Sequence, residues 1–293
     1  MRRGDLSDAE WARLKPYLPR NVGRGGRWKG HRRVINGILF RLRTGIPWRD
    51  LPSRFGEWQT VYDRHRRWSA DGTWEEILRA VQTDADAQGR IDWSMASVDS
   101  TICRAHQHAA GARHRPPKVP GRRVWPARHR DDEGLGRSRG GLTTKVHLVG
   151  GGGLRPLTLL ITPGQWGDAP QMIPVLERIR VPRSNGGHPR TRPEYLSGDR
   201  AYSSRRNRRY LCRRQIKHTI PEPSNQQANR RRRGNRGGRP VGFDKARYAR
   251  RNEVERLIGK LKINRAVAMR FDKRAYVFHG TVSVAAIRLW LRT

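Results

Sequence analysis

The sequence predicts an α/β fold built on a mixed sheet and preceded by a small helical domain. Three observations carry that prediction. Between residues 5 and 90 the apolar residues recur at helical spacing, and turns bound each run. Near residue 95 the period changes to the alternation of strands. From there the elements run strand, hairpin, helix, strand, helix, strand, helix, the order of a layered α/β domain.

In the first part, Ser7-Asp8-Ala9-Glu10 reads as a capping box opening a helix with Trp11, Leu14 and Leu18, which Pro16 and Pro19 cut short. A Gly/Arg-rich stretch, residues 21–30, leads to a second helix carrying Val34, Ile35, Ile38, Leu39 and Leu42 and ending at Gly45-Ile46-Pro47. A turn at residues 52–56 precedes a third helix over 60–68. A fourth runs from Thr73 through Leu78 to Val81. Short helices, tight turns and a basic third helix outline a helix-turn-helix-like reader that offers Arg64, Arg66 and Arg67 to DNA. Because its apolar periods are self-contained, 1–90 is expected to fold as a helical DNA-binding domain, with 91–293 as the second domain.

In the second part, residues 95–101 form a strand that bears Asp99. Residues 104–140 make a loop with ten Lys+Arg and three acids. Residues 143–149 and 157–161 pair as a hairpin across Gly150-Gly151-Gly152-Gly153. Asp168 could be a fourth site carboxylate, but a cap explains it better: it is expected to open a helix starting Ala169-Pro170, with Ile173, Val175, Leu176 and Ile179 as its apolar positions. A strand over 195–198 ends at Asp199. Ser203 or Ser204 then caps a very basic helix, and residues 216–220 form another strand. The basic loop over 221–240 is expected to be disordered until bound, at least from 224 on. A last helix covers residues 248–263.

Charge narrows the function. With 63 Lys+Arg against 25 Asp+Glu, the chain carries a formal +38, and only 35% of it is hydrophobic, below the usual ~45–50%. Self-repulsion on that scale calls for a polyanionic partner, and nucleic acid is the simplest one. No apolar run approaches the roughly 18 residues of a membrane span. The start lacks a signal-peptide core, and two cysteines make no disulfide framework, so a cytoplasmic, nucleoid-associated protein is expected.

Acids in so basic a chain need a reason. Asp99 and Asp199 both sit at strand ends, and clustered carboxylates take Mg²⁺, a hard cation that prefers oxygen. A third carboxylate should come from the last helix, through Glu253 or Glu255. At about 100° per residue, Tyr248, Arg251, Glu255 and Lys262 share one stripe bordering the core, whereas Glu253 faces solvent with Arg256 and Lys260. Glu255 is therefore preferred.

The motifs Val98-Asp99-Ser100-Thr101, Ser197-Gly198-Asp199-Arg200-Ala201-Tyr202 and Arg251-Asn252-Glu253-Val254-Glu255-Arg256 resemble the three acidic motifs of DDE transposases. The spacing Y-x2-R-x3-E-x6-K is matched without a gap by Tyr248, Arg251, Glu255 and Lys262. Gly45-Ile46-Pro47-Trp48-Arg49-Asp50-Leu51-Pro52 and the stretch from Gly136 to Lys145 extend the likeness to bacterial insertion-sequence transposases of family five. The resemblance implies a ribonuclease-H-like catalytic domain after a helical DNA-binding domain. It also implies Asp99, Asp199 and Glu255 as ligands of two Mg²⁺ ions, with Mn²⁺ able to substitute. Arg251 and Lys262 would meet end phosphate with Tyr248 supporting them, and Arg137, Arg139 and Lys145 would add DNA contacts. Double-stranded DNA, as transposon ends and target, is the implied partner, bridged by a homo-oligomer. Two rival readings are a silent DNA-binding derivative and a metal-dependent nuclease that cuts without joining.

Other residues have plainer explanations. His106, His108, His114 and His129 read as a solvated loop, and Cys103 as packing. Trp166 could stack on a base or cover the core edge, and Arg230-Arg231-Arg232-Arg233 could meet phosphate or stay solvated.

Overall fold

The capping box opens helix α1 (Asp8–Leu14) as expected: Ser7 Oγ accepts from the Glu10 N–H at 3.1 Å, and Glu10 Oε2 accepts from the Ser7 N–H at 2.8 Å. The computed structural model describes residues 4–19, 28, 30–111, 133–138 and 140–292. Arg139, His114, His129 and most of the 21–30 linker lie outside the described residues, as does much of the loop over 104–140. Three longer helices follow, α2 (His31–Thr44), α3 (Trp58–Ala70) and α4 (Thr73–Ala87).

The sheet starts with β1 (Ala96–Ala105), then the short β2 (Gly136–Ser138), β3 (Gly141–Gly151) and β4 (Arg155–Pro163). Helix α5 (Met172–Glu177) leads to β5 (Tyr195–Gly198), and α6 (Arg205–Arg213) leads to β6 (Lys217–Thr219). Strand β3 runs antiparallel to β1, β2 and β4, whereas β1, β5 and β6 run parallel to one another. This is the mixed α/β architecture expected from a ribonuclease-H-like domain behind a helical region.

The remaining elements are α7 (Ser224–Arg232), α8 (Lys245–Ala249), α9 (Asn252–Lys262), α10 (Arg265–Ala268), β7 (Met269–Arg270) and α11 (Ala275–Leu291). Two of them depart from expectation. Residues 224–232 are helical rather than disordered, because side chains hold them: Arg230 pairs with Glu222 at 3.1 Å and the Gln226 amide donates to Ser203 O at 2.9 Å. The single helix expected over 248–263 breaks into α8 and α9, where Arg250 is tied to Asp92 at 2.7 Å and to Glu253 at 3.2 Å.

Side chains alternate across a strand, so Asp99 and its partner Leu148 share one face of the sheet, while Ser100 and its partner His147 share the other. Helix α9 covers the Asp99 face. It lies so close that a side chain at Gly150 would meet Leu257 at 2.8 Å. Helix α5 and the turn around Asp168 cover the Ser100 face.

Helix α11 is buried on nearly every side, which makes it a core element with no amphipathic stripe. It packs on α3, α4 and β4, and a Cβ at Gly280 would fall 2.0 Å from Ser69 Oγ. Arg13 donates to the carbonyls of Trp290 and Leu291 at 3.1 and 2.7 Å. Helices give way to sheet near residue 90, yet one continuous apolar core runs across that point. A fragment of residues 1–90 would expose the surface that α11 covers. It is therefore expected to show no cooperative thermal transition by circular dichroism, and a version with residues 275–291 appended should regain one.

Candidate active site

Strand pairing brings the two aspartates together. Val98 and Gly198 are register partners on parallel neighbours, so Asp99 and Asp199 emerge side by side at about one strand spacing, ~4.8 Å between backbones. Asp199 accepts the Ala201 N–H at 2.9 Å and so opens a tight turn over Arg200–Tyr202. Asp99 accepts the Ser100 N–H at 2.8 Å.

The expected third acid, Glu255, lies on α9. Val254, Leu257 and Leu261 bury one face of that helix, and Glu255 lies beside it. Arg251 connects Glu255 to the pair: its guanidinium bonds the Glu255 carboxylate one turn on and reaches 3.7 Å from Asp99 Oδ2. It also stacks over Tyr248, 5.6 Å from the ring centre. Glu253 instead faces Arg250.

The electrostatics of the three acids are unbalanced. Burial pushes the Asp99 carboxyl up to about 6; the Ser100 N–H and Arg251 pull it down, while Asp199 and Glu255 push it further up. Carboxylate oxygens are the donors a hard divalent cation takes, and their mutual repulsion favours one. Arg251 supplies positive charge at that place in this structure. With Glu255 bound to Arg251, the described residues contain no group of three or more His, Cys, Asp or Glu side chains arranged to hold a metal.

The other expected site residues are placed unevenly. Lys262 reaches back to β1, donating to Thr101 Oγ1 at 3.3 Å and Ile102 O at 3.1 Å, so it borders the acids. Arg67 and Arg137 are exposed, and Arg66 pairs with Asp63 at 3.5 Å. Arg64, expected to reach DNA, is withdrawn from solvent: it is 7% exposed, lies 4.0 Å over the Trp28 ring and bonds His31 at 3.0 Å. Burial pushes its pKa down to about 10. Lys145 is also withdrawn, donating to Trp166 O at 2.8 Å and Asp168 at 3.1 Å.

Asp168 corrects a further expectation. Its side chain makes no cap hydrogen bond; it accepts from Ser100 Oγ at 2.7 Å, next to Asp99. The available signal was position, since Asp168 follows a sheet strand closely, as Asp199 does. Cys103 is fully buried and its thiol is pushed up to about 11 by burial, which suits packing.

Asp99, inside β1 and not at its end as expected, and Asp199, just past β5, lie on a mixed sheet of the ribonuclease-H-like class, with Glu255 on the helix that covers the Asp99 face. Comparison with known proteins is specific. Residues 94–289 match the family described as "Transposase DDE domain", and residues 6–78 match "Putative transposase of IS4/5 family". The chain belongs to the DDE transposase family, of the insertion-sequence type. It is 39% identical over 109 residues to "Uncharacterized protein y4sN" of Sinorhizobium fredii, covering 37% of this chain and 82% of that one. It is 33% identical over 137 residues to "Putative transposase for insertion sequence element IS402" of Burkholderia cepacia, covering 47% and 57%. With "Putative transposase for insertion sequence element IS6501" of Brucella ovis it shares 29% identity over 153 residues, covering 52% of this chain and all of the relative. No helix among the described residues is long and apolar enough to cross a membrane.

Proposed function

We propose that this chain binds the terminal inverted repeats of an insertion sequence, then cuts and rejoins DNA strands at Asp99, Asp199 and Glu255. The observation that carries the reading is the pairing of Val98 with Gly198, which sets two aspartates side by side within reach of α9. Asp99, Asp199 and Glu255 would hold Mg²⁺, with Mn²⁺ as a substitute, and the ion would supply Lewis acidity at the phosphodiester. The protein's own groups do the rest. Burial of Asp99 and repulsion among the acids prepare a site for positive charge. Arg251, once released from Glu255 and Asp99, has a forked guanidinium suited to a phosphate of the transposon end. Lys262 stands on the same side of β1 to hold the strand beside the acids. Two copies of the chain would bring two ends together.

Duplexes ending in inverted repeats, to be identified by sequencing the DNA beside the gene, should yield both cleaved and joined products when incubated with Mg²⁺. Cutting without joining would establish the nuclease reading, and binding without cutting the silent one. Within the same assay, Glu255→Gln should be inactive and Glu253→Gln near parent activity, because Glu253 is engaged with Arg250. The reverse pattern would remove Glu255 from the site.

A further inference from the structure

A partly buried polar cluster lies behind Asp99, on the opposite face of β1, and the reaction described above makes no use of it. At its centre is Asp168, whose Oδ1 accepts from Ser100 Oγ at 2.7 Å and Lys145 Nζ at 3.1 Å. Lys145 is oriented by Trp166 O at 2.8 Å. His147, the cross-strand partner of Ser100, is fully buried; its Nε2 meets Thr162 Oγ1 at 2.9 Å and its Nδ1 points at Asp168 from 3.7 Å. Burial pushes this histidine down to about 4, so at neutral pH it is uncharged. The Tyr202 hydroxyl is buried in the same region and lies against Ser100.

Such a cluster is costly to bury, and its location gives it a consequence. Ser100 takes part on both faces. Its hydroxyl is held from behind by Asp168, while its N–H donates to Asp99 Oδ1 at 2.8 Å on the front. Lys145 limits how far Asp168 can turn away, and the β1–β3 ladder fixes the strand that carries Asp99 and Ser100 against the one that carries Lys145. Ligating carboxylates depend on such outer partners for their orientation.

We infer that Asp168 is a positioning residue: with Lys145 it clamps Ser100, and Ser100 holds the Asp99 carboxylate turned toward Asp199 and Glu255. The inference rests on Asp99 being a cation ligand, as proposed above, and extends that site to the far face of the strand.

The test uses the full chain and Mn²⁺ alone as the probe, with free Mn²⁺ followed by electron paramagnetic resonance. Asp168→Asn and Ser100→Ala should each weaken Mn²⁺ binding about 10-fold or more, the usual size of an outer-partner effect. Ser100→Thr, which keeps the hydroxyl, should bind Mn²⁺ as the parent does. Binding of random duplex DNA in chelator should be unchanged in all three. If Asp168→Asn lowers the melting temperature, the Ser100→Ala and Ser100→Thr pair decides, since it differs mainly in one hydroxyl. Parent-like Mn²⁺ binding in Ser100→Ala, together with its loss in Asp99→Asn, would overturn the clamp and leave the proposed site standing. Parent-like binding in Asp99→Asn itself would overturn the proposed site, and the clamp with it.

Discussion

Asp99→Asn and Asp199→Asn should each abolish strand cleavage, while binding to duplex DNA stays within a few-fold of the parent. Each change keeps the side chain's size and removes one negative charge from a site that works by charge. Loss of a preorganised electrostatic group costs about 10²–10³-fold in rate, and these carboxylates would also hold the ion. Asp99→Asn should have a second effect, on stability. The Asp99 carboxyl titrates at about 6 in the folded chain, above the ~3.9 of an unfolded one, chiefly because it is buried. Its stabilising contribution is therefore full below about pH 4, fades as pH rises through 6, and is absent at pH 7 and above. Removing the charge relieves a cost of the order of 1–3 kcal/mol at neutral pH. The metal-free variant should therefore melt higher than the parent at pH 7.5, and the gap should close toward pH 4. Gel assays of end cleavage and thermal melts across pH check both halves. Undiminished cleavage by either variant in Mg²⁺ would remove that aspartate from the site.

How far the sequence revealed this arrangement depended on whether a local pattern existed. The capping box at Ser7, the hairpin and Asp199 at the end of β5 all had one, because caps, alternation and turns are short-range signals; Asp99, expected at a strand end, lies inside β1, which runs on to Ala105. The Arg251–Glu255 stripe was also legible, since Arg251 is the N-cap of α9 and Glu255 lies in its first turn, even though the helix begins later than expected. Helix α11 left no such trace. It is apolar all round, so it lacks the stripe by which a surface helix is recognised, and only its burial among α3, α4 and β4 accounts for it. Asp168 was misassigned for the opposite reason. It stands where a helix cap belongs, before Ala169-Pro170, and the local pattern concealed a longer-range bond to Ser100 on another strand. Residues 224–232 misled by composition, because their order comes from Glu222 and Ser203 rather than from burial. Arg64 shows the limit of charge as a signal: two tryptophans, distant from each other in sequence, take it out of solvent.

Breaking the buried ion pair between the N-terminal helices and the C-terminal segment should unfold the chain at moderate temperature. Arg41 on α2 meets Asp272 at 3.1 Å with both side chains under 5% exposed. The pair continues into a chain of bonds. Trp74 Nε1–H donates to His65 Nδ1 at 3.2 Å, so the imidazole proton sits on Nε2 and faces Thr281 Oγ1 at 3.1 Å. Thr281 in turn donates to Asp272 Oδ2 at 2.8 Å. Burial alone would raise the Asp272 carboxyl, but Arg41, the Thr281 hydroxyl and Arg270 outweigh it and hold the carboxyl below its usual value. Burial pushes His65 down to about 4, keeping it neutral. Both groups give stability that is present at neutral pH. The His65 share is lost as pH falls from about 6.5 toward 4, and the Asp272 share as pH falls below the ordinary carboxylate range. Asp272→Ala leaves the Arg41 charge buried and unpaired, a change that costs about 3–5 kcal/mol, a large part of the ~5–15 kcal/mol that holds a typical domain together. Replacing both partners by apolar residues, Arg41→Met with Asp272→Leu, removes the charge and its cost together and should recover most of the loss. Denaturant melts of the parent, the single variant and the double variant decide the matter. A double variant no more stable than Asp272→Ala would mean that the bonds to Thr281 and His65, rather than the ion pair, tie the two regions together.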